Sequence, residues 1–402
     1  MGWPVELLGQ LADISYGYTA KASFEINGPK FLRITDIQDG NVNWEDVPSC
    51  EIAKADYEKH KLFVNDIVFA RTGATTGKSF LIKKCENSVA ASYLIRVRPT
   101  DNRLLPDFLY LYFQSAEYWG VVNAGTSGSA QGGFNASKLA GLTIPIPPIS
   151  EQKRIVAILD QAFADIDKAR ALTEQNLKNA RELFESYLQQ VFSQRWEGWR
   201  SAELFDHVKF IDYRGKTPSK TETGLRLITA KNVRMGFLKE DPMEFVAPES
   251  YDEWMTRGIP EKGDVLFTTE APLANVAQLD TDEKVVFAQR VITIQPDRKV
   301  LVDAFLKYML MSAPIQKKIH EKGTGATATG IKASLLKKIP IEFPSSLNEQ
   351  NLLVNNLDDL YEYSEILEGK CQQKLAFLDE LKKSILQKAF SGELTKGSEV
   401  AA

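Results

Sequence analysis

A stretch that can only be one long helix occurs twice in this chain, and few folds have room for that. The first copy runs from Ser150 to about Ser193 and opens Pro147-Pro148-Ile149-Ser150-Glu151-Gln152. The second runs from Ser346 to about Phe390 and opens Ser345-Ser346-Leu347-Asn348-Glu349-Gln350. In each opening a serine can accept from the free N–H groups of the first helical turn, and Pro147, Pro148 and Pro344 block helix upstream. Ser346 and Glu349 also have capping-box spacing. Apolar residues then recur at four-three spacing. In the first copy they are Ile155, Leu159, Ala162, Ile166 and Ala169, then Ala180, Leu183, Tyr187 and Val191; in the second they are Leu353, Leu357, Leu360 and Leu367, then Leu378, Leu381, Ile385 and Ala389. So narrow a seam predicts two long helices lying against each other, with the polar seam positions Thr173, Asn176 and Ser364 setting register. At 1.5 Å per residue each helix would be roughly 60–65 Å long, more than a compact domain needs, so it reads as a spacer. The plainer alternative is a pair of core helices in an ordinary globular protein.

The repeat extends beyond the helices. Gly2-Trp3 returns as Gly198-Trp199, Asp36–Val42 as Asn232–Leu238, Asn65–Phe69 as Gly263–Phe267, Gly125–Ala130 as Gly323–Ala328, and Ile144–Pro147 as Ile339–Pro344, at offsets of 195 to 198 residues. Each half opens with a mixed domain. Phe31–Ile34, Ile67–Ala70 and Tyr93–Val97 read as strands, matched by Leu225–Thr229, Val265–Thr268 and Val291–Ile294. Pro106–Tyr118 and Ala304–Ile319 read as short amphipathic helices, and the glycine-rich Gly125–Gly133 and Gly323–Gly330 as loops. The predicted organisation is α+β: mixed domains over 1–149 and 196–345 in a pseudo-twofold arrangement, spacer helices over 150–195 and 346–391 packed antiparallel as a coiled coil, and a tail over 392–402. Two halves with one plan and different details imply two similar jobs on two different targets.

Composition narrows the class. A chain of 402 residues with 44% apolar content can bury more than one core. Its apolar runs are too short to span a bilayer and no basic-then-apolar leader opens it, so a cytoplasmic protein is expected. Three scattered cysteines without a C-x-x-C pair fit a reducing compartment and argue against zinc. The net charge is −4, and Lys plus Arg against Asp plus Glu stands at 14 to 15 over residues 1–149 and 22 to 21 over 196–345. A nucleic-acid partner would therefore require positive groups gathered on one face, or supplied by another subunit.

Two variable α/β domains, each followed by a long helix opening on a proline-rich turn and Glu-Gln, resemble the specificity subunit of a Type I restriction–modification system. The D-I-x-x-G segment at Asp36, the G-D-V segment at Gly263 and the Ser391–Thr395 ending S-G-E-L-T are similar to that family as well, and the resemblance covers the whole chain. It implies that each domain reads one half of a split sequence in double-stranded DNA. It also implies that the helices dock two methyltransferase subunits, and that motor–nuclease subunits join the complex. This chain would then hold no cofactor. S-adenosylmethionine for adenine N6 methylation would sit in the methyltransferase subunits, with ATP and Mg in the motor subunits.

On that reading, a loop at a strand end presents Arg71, Thr72, Thr75, Thr76 and Lys78 to DNA; arginine suits guanine, whereas threonine and lysine more often hold phosphate. Its counterpart offers Thr269, Glu270 and Asn275, with the glutamate able to accept from cytosine. The glycine-rich loops bring Thr126, Ser127, Ser129, Gln131, Thr324 and Thr327 towards the phosphate backbone. Arg33 and Asp36, and opposite them Lys231, Asn232 and Arg234, lie at a strand exit, where an Asx-type turn competes with base contact. Lys216, Thr217 and Lys220 form the most basic short run of the second domain. Glu151, Gln152, Glu349 and Gln350 are the expected docking residues for the methyltransferase subunits. For each loop a turn of solvated polar residues remains the alternative.

Chemistry within the chain itself has little support. Gly73–Ser79 looks like a phosphate loop, but the glycine such a loop needs would fall at Thr72, and the following Phe80-Leu81-Ile82 reads as strand. His60, His207 and His320 have no metal-ligand spacing. The Asn/Asp-Pro-Pro-aromatic tetrapeptide of amino-methyltransferases is missing, because Pro147-Pro148 lies between Ile146 and Ile149. The expectation is a non-catalytic DNA-reading scaffold. Its rivals are a coiled-coil adaptor that never touches DNA and a free-standing methyltransferase or nuclease.

Overall fold

The computed structural model describes residues 2–38, 40–126, 133–193, 197–213, 217–288, 290–325 and 329–396. The chain divides into two compact units, one formed by residues 1–174 with 373–402 and the other by 175–372. Both long helices are present, Ile149–Ser193 and Leu347–Phe390. The division falls inside them, so each unit owns one half of each helix. The sequence-based boundaries at 149/150 and 345/346 lie within about a residue of the helix starts at Ile149 and Leu347 instead.

In the first unit a four-stranded antiparallel sheet runs in the order Ala12–Tyr16, Leu94–Pro99, Ile67–Ala70, Ser79–Leu81. A second sheet has the order Ser88–Ala90, Lys30–Leu32, Ser49–Cys50, Ala22–Ser23, its first pair parallel. The second unit repeats both. One sheet orders Val208–Asp212, Val291–Pro296, Val265–Thr269, Leu273–Gln278, and the other Lys220–Thr221, Glu244–Val246, Leu225–Ile228, Val285–Phe287 with a parallel last pair. The central strands Ile67–Ala70 and Val265–Thr269 are buried along their whole length. This explains why they read as continuous apolar runs rather than alternating ones.

Two segments predicted as single helices are each split in two. Pro106–Tyr112 is followed by Ala116–Thr126, and Asp303–Met311 by Ala313–Glu321. The first break lies at buried Ser115, whose hydroxyl accepts the Tyr118 N–H (3.2 Å) as a fresh N-cap. The second has Ser312 in extended conformation and Pro314 inside the first turn, where its missing N–H costs nothing.

Two recurring sequence segments turn out to be turns held by an acidic or amide side chain. Asp66 and Asp264 each close a four-residue turn, accepting the backbone N–H of Phe63 (2.8 Å) and of Glu261 (2.9 Å). The residue before each aspartate has a left-handed backbone, Asn65 at φ 75° and Gly263 at φ 96°, so only Gly or Asn fits comfortably there. Both carboxylates are buried against an arginine, Asp66 with Arg98 and Asp264 with Arg298.

Each helix start is fastened by its glutamine. In the first unit Gln152 is fully buried; its Oε1 accepts the Leu105 N–H (2.8 Å), and its amide donates to the carbonyls of Arg103 (2.7 Å) and Pro147 (2.9 Å). In the second unit Gln350, also fully buried, accepts from Val302 N–H (2.8 Å) and donates to the carbonyls of Val300 and Pro344, both at 2.9 Å. The neighbouring glutamates bond within the same units: Glu151 accepts from the Thr395 hydroxyl, and Glu349 from the Trp199 indole (3.3 Å). The side chains of Gln152 and Gln350 are therefore turned into their own domains rather than towards an outer surface. Every polar atom of each side chain is used to join a helix to its own domain, because a buried amide left unpaired would be costly.

Within each unit the two helix halves run antiparallel. In the first unit Asp167 meets Lys382 (3.8 Å) and Arg170 meets Asp379. In the second, Arg181 meets Glu368 (2.8 Å), and the Phe184 and Tyr361 rings lie 5.2 Å apart. Ile155 and Leu159 join Leu386 and Phe390 in one core; Phe184 and Leu188 join Val354 and Leu357 in the other. Phe184, rather than the exposed Leu183, continues the first helix's stripe. The polar seam expectation also changes. The Thr173 hydroxyl bonds the Ala169 carbonyl (2.7 Å) and the Ser364 hydroxyl the Tyr361 carbonyl (3.0 Å), each in its own helix, and Asn176 is exposed.

Candidate nucleic-acid interface

In both units the exit of the central strand meets the end of the glycine-rich segment. In the first unit Phe134 N–H donates to the Arg71 carbonyl (2.9 Å), and Thr72 bridges Gly133. In the second, Ile331 N–H donates to the Thr269 carbonyl (2.9 Å), and Glu270 bridges Gly330. A third segment joins each site from the start of the neighbouring strand. Arg71 N–H donates to the Tyr93 carbonyl (3.2 Å), and Thr269 N–H to the Arg290 carbonyl (2.8 Å). The backbone frames thus match position for position: 71 with 269, 72 with 270, 93 with 290, 133 with 330. Tyr93 and Arg290 belong to these edges and were missed by motif reading. Placing the two halves in register would have found them, since each immediately precedes a matching strand and the two differ in chemistry.

The first unit's edge is mostly threonine, aromatic and lysine. The Arg71 guanidinium lies over the Tyr16 ring (4.9 Å), with its Nε buried and unpartnered. Thr72 and Lys78 are exposed. The Thr76 hydroxyl donates to the Gly73 carbonyl of its own loop (2.8 Å), and Gly77 (φ 93°) sits so close to Trp119 that a Cβ there would approach the indole to 2.7 Å. Thr75 and Lys78, together with Thr35, Gln38, Gln114 and Trp119, line a cleft of about 620 Å³. After Lys78 the chain continues as strand Ser79–Leu81, as its apolar run predicts.

The second unit's edge is built from ion pairs. Glu270 meets Arg290 (2.9 Å) and Lys220 meets Glu244 (2.7 Å). Thr217, Lys220, Lys231, Ala271 and Arg290 surround a cavity of about 240 Å³. Lys231 and Thr217 are exposed, while Arg234 is partly buried with a long bond (3.4 Å) to the Val233 carbonyl.

Several expected contact residues are occupied elsewhere. Asp36 accepts the Arg33 backbone N–H (2.8 Å) and holds the Arg33 guanidinium at 2.6 Å, closing a short turn. Asn232, 1% exposed, does the same job in the second unit: its Oδ1 accepts from Thr229 N–H (3.0 Å), and its amide faces the carbonyls of Lys239, Glu240 and Pro242. Both residues thus close an Asx-type turn. Thr269 is buried, with its hydroxyl 3.4 Å from the Arg290 carbonyl. The Asn275 amide is taken by the Val233 carbonyl (2.9 Å). Thr126 ends a helix and bonds the Asn123 carbonyl (3.0 Å) rather than lying in a loop, and Thr324 pairs its backbone with Gly330. Ser127, Ser129, Gln131, Lys216 and Thr327 lie outside the described residues. Among the described residues no cluster of His, Cys, Asp and Glu could hold a metal, and no helix is long and apolar enough to cross a membrane.

Comparison with known proteins matches this architecture. The profile of the Type I restriction modification DNA specificity domain fits residues 2–176 and 233–375. The chain is 22% identical to the Type I restriction enzyme EcoBI specificity subunit of Escherichia coli, covering 96% of this chain and 85% of that one. It is 25% identical to the EcoKI specificity subunit of Escherichia coli strain K12, covering 98% and 89%. Among solved structures, a chain of a type I R-M system superposes with a TM-score of 0.76 at 20% identity over 98% of both chains. The HsdS subunit from Thermoanaerobacter tengcongensis gives a TM-score of 0.66 at 18% identity over 98% and 97%.

Proposed function

The chain belongs to the Type I restriction modification DNA specificity domain family, and from that premise we propose that it is the DNA-reading, non-catalytic subunit of a Type I restriction–modification complex. Each unit reads one half of a split target through its strand-exit edge. The observation that carries this reading is the pair of matched frames with unmatched side chains: Thr72 and Tyr93 on one, Glu270 and Arg290 on the other. A scaffold kept constant beneath chemically different tips is what two readers of different sequences require.

The near-neutral overall charge fits an edge that specifies bases while partner subunits supply much of the phosphate attraction. Two methyltransferase subunits, which would carry S-adenosylmethionine and the adenine N6 chemistry, dock along the outer faces of the helices. Leu172, Phe377 and Leu381 in the first unit, and Leu183, Leu352, Tyr363 and Ile366 in the second, leave apolar surface exposed there. Motor–nuclease subunits using ATP and Mg complete the assembly, which acts in the cytoplasm. Co-expression with the neighbouring methyltransferase, followed by selection of the DNA the complex retains, tests the reading. A split motif with a fixed unread gap is expected. Random recovery would favour an adaptor, and methyl transfer by the isolated chain would favour an enzyme.

A further inference from the structure

Resting on that recognition role, we propose that Arg290 and Glu270 act as one unit that reads a G·C base pair in the half-site of the second domain. Arg290 donates to the guanine, and Glu270 accepts from the cytosine of the same pair.

Glu270 engages Arg290 at Nε (2.9 Å), and both side chains are about half exposed, at 44% and 50%. Among the described residues the terminal guanidinium nitrogens make no hydrogen bond, so the fork that matches guanine O6 and N7 is left available. Held from the side in this way, the fork loses little freedom on binding. In the major groove a G·C pair shows two acceptors on guanine beside the N4 donor of cytosine. An arginine next to a carboxylate is the complementary pattern. An A·T pair puts a donor where the arginine would donate, and a methyl group on the thymine.

Position and backbone support the assignment independently. Arg290 and Glu270 stand where the first unit has Tyr93 and Thr72, each next to the end of a matching buried strand. Four described non-glycine residues have a left-handed backbone, and two of them, Ala271 (φ 47°) and Arg290 (φ 74°), line the cavity at this edge. At Arg290 an L side chain stands where glycine would be easier, and such backbone strain gathers at functional sites.

That conformation also provides the test. Arg290→Gly relaxes the backbone while removing the fork, so the chain should fold at least as well as the parent by thermal melting. Selection by the complex with its methyltransferase should then show discrimination at one G·C position of the second half-site falling by about 5- to 150-fold, with the first half-site unchanged. Arg290→Lys should keep most of the affinity and lose the same discrimination. Glu270→Gln should relax the same base pair while raising affinity for all sequences, because a cation is unmasked. An unchanged motif in Arg290→Gly, a loss spread evenly over all positions, or a parental second half-site without a G·C pair would each overturn the assignment. A parental complex with no sequence preference would overturn the recognition role itself.

Discussion

The root of each helix and the reading edge of each unit are built on the same repeated backbone, yet they differ in what is kept. At the roots the glutamine latch is kept in side chain and partners alike: Gln152 and Gln350 make the same three bonds to equivalent backbone atoms. At the edges only the backbone is kept, and the side chains at 72 and 93 share no chemistry with those at 270 and 290. A fully buried amide that satisfies three backbone groups admits no substitute, because each orphaned group would cost about 1–3 kcal/mol. An exposed strand exit is under no such constraint and can change its tips freely.

The sharpest way to break this comparison is to remove a latch. Gln350→Leu leaves the Val302 N–H and the carbonyls of Val300 and Pro344 without partners, and Gln152→Leu does the same to Leu105, Arg103 and Pro147. Each should lose about 3–5 kcal/mol in urea denaturation. A cost below about 1 kcal/mol, or a large cost in only one unit, would show that the roots are not equivalent.

A second contrast lies in the turn aspartates. Burial pushes the Asp264 carboxyl up to about 6, against the pull of the Glu261 N–H and of Arg298, which would lower it. The folded second unit therefore binds a proton more tightly than the unfolded chain. Its contribution is fully present below pH about 4 and is lost as pH rises through about 6, by up to about 3 kcal/mol. Asp264→Asn should remove that part of the dependence, measured as a shallower fall of the denaturation midpoint between pH 4 and pH 7 than in the parent. A slope unchanged by the substitution would place the titrating group elsewhere.

The next test transplants one edge onto the other frame. Thr72→Glu with Tyr93→Arg places the acidic and basic tips on the first unit. The selected first half-site should gain a G·C preference of the same order as the one Arg290→Gly removes, about 5- to 150-fold, while the second half-site stays as it was. Loss of the first half-site without a new preference would show that Arg71 over Tyr16, absent from the other edge, sets what this frame can read.

What was legible in the sequence follows the same line between roots and edges. The long helices announced themselves because a seam must repeat over many turns, and their observed ends fall within a residue of those expected. The strands Ile67–Ala70 and Val265–Thr269 were visible as apolar runs bounded by turn residues. Individual polar side chains were only partly legible: at Asp36 and Asn232 an Asx-type turn stood beside base contact, while the burial of Gln152 and Gln350 was not visible. Asp36, Asn232, Gln152 and Gln350 have the right chemistry for DNA or partner contact, but each is consumed by backbone atoms that lie up to 50 residues away in sequence. Composition cannot report burial of that kind. Tyr93 and Arg290 were passed over for the opposite reason: they belong to no motif, and only the backbone bonds to Arg71 and Thr269 bring them to the edge.

The smallest expected effect concerns the helix seam, where the comparison is closest to failing. If polar seam residues fixed register by bonding across the helix pair, they would be roots in the same sense as Gln152. Thr173 is 1% exposed, yet its hydroxyl already bonds the Ala169 carbonyl of its own helix (2.7 Å), and Ser364 bonds Tyr361 in the same way. Thr173→Val keeps the shape and gives up only a local bond that a helix barely needs. It should change stability by less than about 1 kcal/mol, as should Ser364→Ala. Register would then rest on the packing of Ile166, Phe184, Leu188 and Leu357, each worth about 1.5–3 kcal/mol when fully buried. A loss above about 2 kcal/mol in Thr173→Val would instead mean that the hydroxyl serves the partner helix as well as its own.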